Sequence, residues 1–195
     1  MRFKKILIAL TMLLATSVFT RAQDVALKTN LLYDATLTPS VAVEFGLAPK
    51  WSFDISGAFN AWPIHDRIRK LWIAQPEWRY WFCRRFSGHF LALHLHGGQY
   101  NLGNLNIGGK NFLGTNLKSL EDHRYEGWFV GAGIGYGYSW ILSKHWNFEA
   151  EIGIGWAYTR YDKYPCSNCG AKLAENHPHN YFGPTKAALN IIYVF

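Results

Sequence analysis

Residues 127–140 read GWFVGAGIGYGYSW, and their alternation decides the fold. One parity is Gly127, Phe129, Gly131, Gly133, Gly135 and Gly137; the other is Trp128, Val130, Ala132, Ile134, Tyr136, Tyr138 and Trp140. A helix would scatter those glycines around its circumference at a cost of about 1 kcal/mol each. A strand collects them on one face and sets an unbroken apolar row on the other. The segment is therefore read as a strand.

The same two-residue period recurs along the chain. It sets Trp146, Phe148, Ile152, Ile154 and Trp156 against Asn147, Glu149, Glu151 and Gly155, and Val41, Val43 and Leu47 against Ala42 and Glu44. Trp51, Phe53, Ile55 and Phe59 oppose Ser52, Asp54 and Asn60. Trp72, Pro76, Trp78, Tyr80 and Phe82 oppose Gln75, Glu77 and Arg79, while Leu91, Leu93 and Leu95 oppose His94 and His96. The first strand is expected over 25–34, with Lys28, Asn30 and Asp34 on the polar parity. The last is expected over 186–195, with Lys186, Ala188 and Asn190 on the polar parity. Eight such strands predict an all-β, eight-stranded antiparallel up-and-down transmembrane β-barrel, because an even count closes with both termini on one side. Pro76 inside one strand calls for a bulge or a later strand start.

Segments 61–71, 101–124 and 162–184 read as long connections alternating with short turns, the asymmetry of transmembrane barrels. Aromatic residues on the apolar parity gather toward strand ends, among them Trp51, Trp72, Trp128, Trp140, Trp146, Trp156 and Tyr193. Such rings favour the level of lipid headgroups. Composition agrees: 49% hydrophobic and 17% aromatic excludes disorder, and a mean hydropathy of −0.09 excludes a bundle of membrane-spanning helices.

The amino-terminal residues 1–22 have the form of a signal peptide, with Arg2, Lys4 and Lys5 before the apolar stretch Ile6 to Phe19 and a small-residue cut before Gln23. The barrel domain is then 23–195. Removing Arg2, Lys4, Lys5 and Arg21 lowers the formal charge from +7 to 7 − 4 = +3, so the basic balance is no argument for nucleic acid. Export also implies an oxidising compartment.

Mixed charges on the polar parity have two readings. They form either an acid–base site beside His94 and His96, or the ion-pair network of a lumen too narrow for water; the second is preferred. No catalytic residue and no cofactor is assigned. A barrel enzyme modifying envelope lipid is the alternative, but Ser139 and Ser143 lie toward the short-turn end and no His shares their row. Cys166 and Cys169, followed by His177 and His179, leave open a zinc site or a disulfide between the two cysteines, the disulfide being preferred. Cys83 reads as an apolar filler at a strand end.

The patches Lys28-Thr-Asn-Leu-Leu-Tyr-Asp34, Gly98-Gln-Tyr-Asn101 and Asn180-Tyr-Phe-Gly-Pro-Thr-Lys186 resemble the domain-of-unknown-function 3575 family of exported outer-membrane barrel proteins, over about Asp24 to Phe195. The Cys166/Cys169 pair also resembles the family pattern. The resemblance implies location in the outer membrane of a Gram-negative cell envelope. It also implies a surface-assembly role, since members are often found in gene neighbourhoods with fimbrial or adhesin proteins. It carries no catalytic residues. The expected partners are outer-membrane lipid, the barrel insertion machinery, for which the final Phe195 is a signature, and a surface or fimbrial protein.

Overall fold

In the computed structural model the described residues are 25–62, 68–104, 111–112, 115–116, 122–166 and 170–195. The signal-peptide reading of 1–22 lies outside them. Their long strands are β1 (Val25–Asn30), β2 (Ser40–Ala48), β3 (Trp51–Asn60), β4 (Ile68–Trp81), β5 (Gly88–Gly103), β8 (Arg124–Ile141), β9 (Trp146–Tyr164) and β10 (Ala174–Val194). Two short strands, β6 (Asn111–Phe112) and β7 (Thr115–Asn116), pair only with each other, and one short helix, α1, covers Leu31–Ala35. The eight long strands are antiparallel neighbours in an up-and-down order, and β1 also pairs with β10, which closes the sheet into a barrel. Phe195 N–H donates to the Val25 carbonyl at 3.1 Å, so the first and last strands meet at one end. That end also carries the short turns 49–50, 82–87 and 142–145; at the other, the long-loop end, lie segment 31–39 and the far ends of β3, β4, β5, β8, β9 and β10.

The parities divide as their chemistry requires. Ile134 and Ile152 are each 62% exposed and Leu93 59%, all on the outer face. Glu44, Asp54, Glu77, Arg79, Glu149 and Glu151 lie buried on the inner face. Outside is apolar and inside is charged, the reverse of a water-soluble barrel.

The first and last strands depart most from the sequence reading, and Pro76 is accommodated otherwise than expected. The first strand stops at Asn30, because its side chain accepts from Leu32 N–H at 3.1 Å and caps α1. Asp34 therefore leaves the lumen row and bonds Thr29 and Ser40 instead. The last strand begins at Ala174, so much of 162–184 is strand rather than loop. A register shift between Pro184 and Lys186 swaps inner and outer parity there. A two-residue pattern breaks at such a shift, which hid this half of β10. Pro76 needs neither a bulge nor a later start. Pairs with β5 run Ala74↔Gly97 and Glu77↔His94 in one register, with a gap opposite 75–76, while pairing with β3 continues as Ile55↔Pro76.

Where β1 ends, Asn30 substitutes for a missing strand. Its Oδ1 accepts from Leu189 N–H at 3.2 Å and its Nδ2 donates to the Ala187 carbonyl at 3.3 Å. Asn30→Ala removes this edge pairing and the helix cap together. We expect it to lower unfolding stability by about 1–2 kcal/mol, measured by urea titration of the folded protein, with Asn30→Asp recovering part through its acceptor oxygens.

Candidate functional site

The lumen holds the densest polar chemistry among the described residues, arranged in layers. At its centre the Arg79 guanidinium, on β4, meets four carboxylates: Glu77 of its own strand at 2.5 Å, Glu149 and Glu151 of β9 at 2.8 and 2.9 Å, and Glu44 of β2 at 3.2 Å. Lys28 of β1 pairs with Glu44, with Asp54 of β3 at 3.3 Å and with Glu149 at 3.5 Å. Lys186 of β10 bridges Glu77 at 2.5 Å and Glu151 at 3.0 Å. Asn190 donates to Glu149 at 2.8 Å, and Ser52 donates to Glu44. Every ion in this list is buried. Three cations thus bridge five acids across six strands, the sharing that charges removed from water require.

Toward the short-turn end lies an apolar seal of Ala26, Trp81, Phe86, Phe90 and Ile192. Arg79 stacks over the Phe90 ring at 4.5 Å, joining seal to network. Trp81 Nε1 donates to Ser52 at 2.8 Å, so the indole is buried with its polar atom satisfied. Phe86 comes from the turn 82–87, which folds into the mouth. Its backbone stands at φ 62°, a costly position for a bulky residue. Its carbonyl is held there by Asn147 at 2.6 Å and Ser139 at 3.2 Å.

Toward the long-loop end the network gives way to imidazole and aromatic rings. His94 and His96 stand 5.6 Å apart, and His96 lies 6.1 Å from Phe129. The glycine row of β8 makes the room for these side chains. A Cβ on Gly133 would come within 2.6 Å of His94 Nε2, and one on Gly135 within 2.8 Å of Glu151 Oε1. The small parity of β8 is the negative of what β5 and β9 put into the lumen.

The sequence reading of the lumen holds for Lys28, Glu44, Asp54, Glu77, Arg79, His94, His96, Glu149, Glu151 and Lys186, all buried, and fails for Asp34. It missed the seal. The signal was present where both parities turn apolar, in Tyr80-Trp81-Phe82 and Ile191-Ile192-Tyr193, whereas the inward fold of Phe86 carries no periodicity.

Hydroxyl–imidazole contacts bearing on catalysis include Thr185 with His94 Nε2 at 2.9 Å, inside the lumen, and Tyr136 with His89 Nδ1 at 2.5 Å, on the outer face. Ser139 is buried against Phe86, and Ser143 is exposed in a turn of the other rim. No serine–histidine pair stands at the long-loop rim among the described residues.

Cys166 is disulfide-bonded, and Cys83, read as an apolar filler at a strand end, is an exposed free thiol. Cys169 lies outside the described residues. His177 and His179 sit within β10 rather than in a loop, His177 packing edge-on to Tyr161 with ring centres 5.5 Å apart. Among the described residues no group of three or more His, Cys, Asp and Glu side chains is placed to hold a metal ion.

Among the described residues, removing Arg79 leaves its four carboxylates buried with only Lys28 and Lys186 as cationic partners. Arg79→Met is expected to destabilise the folded barrel by about 3–5 kcal/mol. Arg79→Met combined with Glu149→Gln should be less destabilised than the sum of the two single variants. Urea midpoints of the four proteins provide the double-mutant cycle.

Comparison with known proteins adds one finding. No curated protein and no solved structure matches the chain. A family model described as Protein of unknown function (DUF3575) matches residues 8–195, almost the entire sequence. The chain, with its charged lumen and apolar exterior, belongs to the DUF3575 family.

Proposed function

We propose that the protein is an integral outer-membrane β-barrel with a plugged lumen, a non-enzymatic platform for surface assembly or interaction. The observation that carries the reading is the outer face. It is an apolar band bounded by aromatic rings at both ends, wrapped around a lumen whose buried ions pair with one another. Trp128 and Trp140 on β8 lie 140 − 128 = 12 residues apart. At about 3.3 Å per residue and a tilt near 40° they mark a band roughly 30 Å tall. That height suits the hydrocarbon layer of a bilayer. Trp51 and Phe59 bound the band on β3, and Trp72 and Phe82 bound it around β4. No helix of the described residues is long and apolar enough to cross a membrane, so strands are the spanning elements in this reading.

A role at the surface draws support from the far end of the β9–β10 hairpin, which extends past the Trp156 level. There Lys172 pairs with Asp162 at 2.9 Å and Glu175 at 2.8 Å, and Asp162 accepts from Asn176 N–H at 2.7 Å. A polar, ion-paired tip suits contact with water and with a partner better than it suits lipid. The family resemblance, with its fimbrial and adhesin neighbours, points to the same kind of partner.

Cell fractionation with a gel comparison of boiled and unboiled protein tests the reading. The expected result is an outer-membrane fraction whose unboiled band migrates faster than the boiled one, with no stepwise conductance when the folded protein is added to a planar bilayer. A soluble, heat-indifferent protein contradicts the membrane reading, and a large steady conductance contradicts the plugged lumen.

A further inference from the structure

We propose that the short-turn rim is a binding collar for the phosphate headgroups of anionic phospholipids in the leaflet around it. The inference rests on the membrane reading above and adds the lipid class. The turn residues of this rim contain Lys50, Arg84, Arg85 and Lys144, with His145 beside them, and no Asp or Glu side chain. At the other end the described residues mix signs: Lys70, Arg160 and Lys172 stand with Glu126, Asp162 and Glu175. Among the described residues the acidic side chains toward this rim, Glu44, Asp54 and Glu149, are buried and ion-paired with Lys28 or Arg79 inside the lumen, away from the outward face of the collar.

Position separates a lipid headgroup from a soluble anion. Leu47 is 56% exposed, Ile141 58% and Leu142 65%, all flanking or within the same turns as the cations. Exposed aliphatic side chains at that level belong against acyl chains. Lys50, next to Trp51, and Lys144, two residues before Trp146, then stand at the phosphate plane. Trp51, Phe82, Trp140 and Trp146 are exposed just inside that plane. Arg85 is turned differently: it packs beside Gly46 and over the Phe86 ring at 6.0 Å, so it closes the mouth and leaves Lys50, Arg84 and Lys144 as the outward cations. A cation near an anionic surface favours that lipid on the order of fivefold, and salt weakens the preference.

The test uses the full folded chain in phosphocholine vesicles containing a minor fraction of phosphoglycerol lipid. Quenching of tryptophan fluorescence by brominated phosphoglycerol is compared with quenching by brominated phosphocholine. The wild type is expected to select phosphoglycerol several-fold at low salt and to lose the selection at high salt. The triple variant K50Q/R84Q/K144Q should approach equal quenching, whereas K70Q at the opposite rim should behave like the wild type. Equal quenching of a wild type that has inserted overturns the collar and leaves the barrel reading standing. Failure to insert into either vesicle overturns both. Should the triple variant not fold, the salt dependence of the wild type decides: selection that persists unchanged at high salt contradicts the proposal.

Discussion

A guanidinium surrounded by carboxylates inside a closed sheet is the constraint on which the rest of this molecule depends. Arg79 reaches from β4 to β9, strands that are not neighbours, and to β2, while Lys28 and Lys186 tie in β1, β3 and β10. The bonds from Arg79 to Glu149, Glu151 and Glu44, and from Lys186 to Glu77, cross the lumen between strands that are not neighbours, while others, such as Lys28 with Glu44, run along the wall. Because side chains alternate with period two, a one-residue slip of any of these strands would turn its ion outward and leave the partners alone. In the proposed setting it would turn that ion into hydrocarbon. The network thus penalises wrong registers more strongly than it stabilises the right one, consistent with the small net gain expected of buried ion pairs.

The other inner features follow from that centre. A lumen filled by Arg, Lys and Glu side chains from some strands needs others that contribute almost nothing, which is why β8 runs glycine at every second residue from 131 to 137. A charged centre also needs insulation from water at its ends. The Trp81–Phe90–Phe86 seal supplies it on one side and the His94–His96–Phe129 rings begin it on the other. The left-handed Phe86 is tolerated because Asn147 and Ser139 hold its carbonyl.

Most of the wall was legible because its chemistry repeats every two residues. The outward rows and ten members of the lumen set could be read from parity alone. What escaped was non-periodic. Asn30 ends a strand with a side chain that imitates backbone, the irregularity near Thr185 inverts the parity of β10, and a turn residue folds inward to plug a mouth. Function was less legible still. A lumen of ion-paired side chains presents the same residue types as an acid–base site, and parity alone does not separate the two.

The most direct measurement is a spin-label scan of residues 128–141 in the folded protein reconstituted in a bilayer, read by collisions with oxygen and with a water-soluble nickel reagent. The account predicts strong oxygen contact at even positions from 130 to 138 and little contact with either reagent at odd positions, a two-residue oscillation. Nickel contact at the even positions, or no oscillation, would mean that the apolar rows do not face hydrocarbon and would contradict the account.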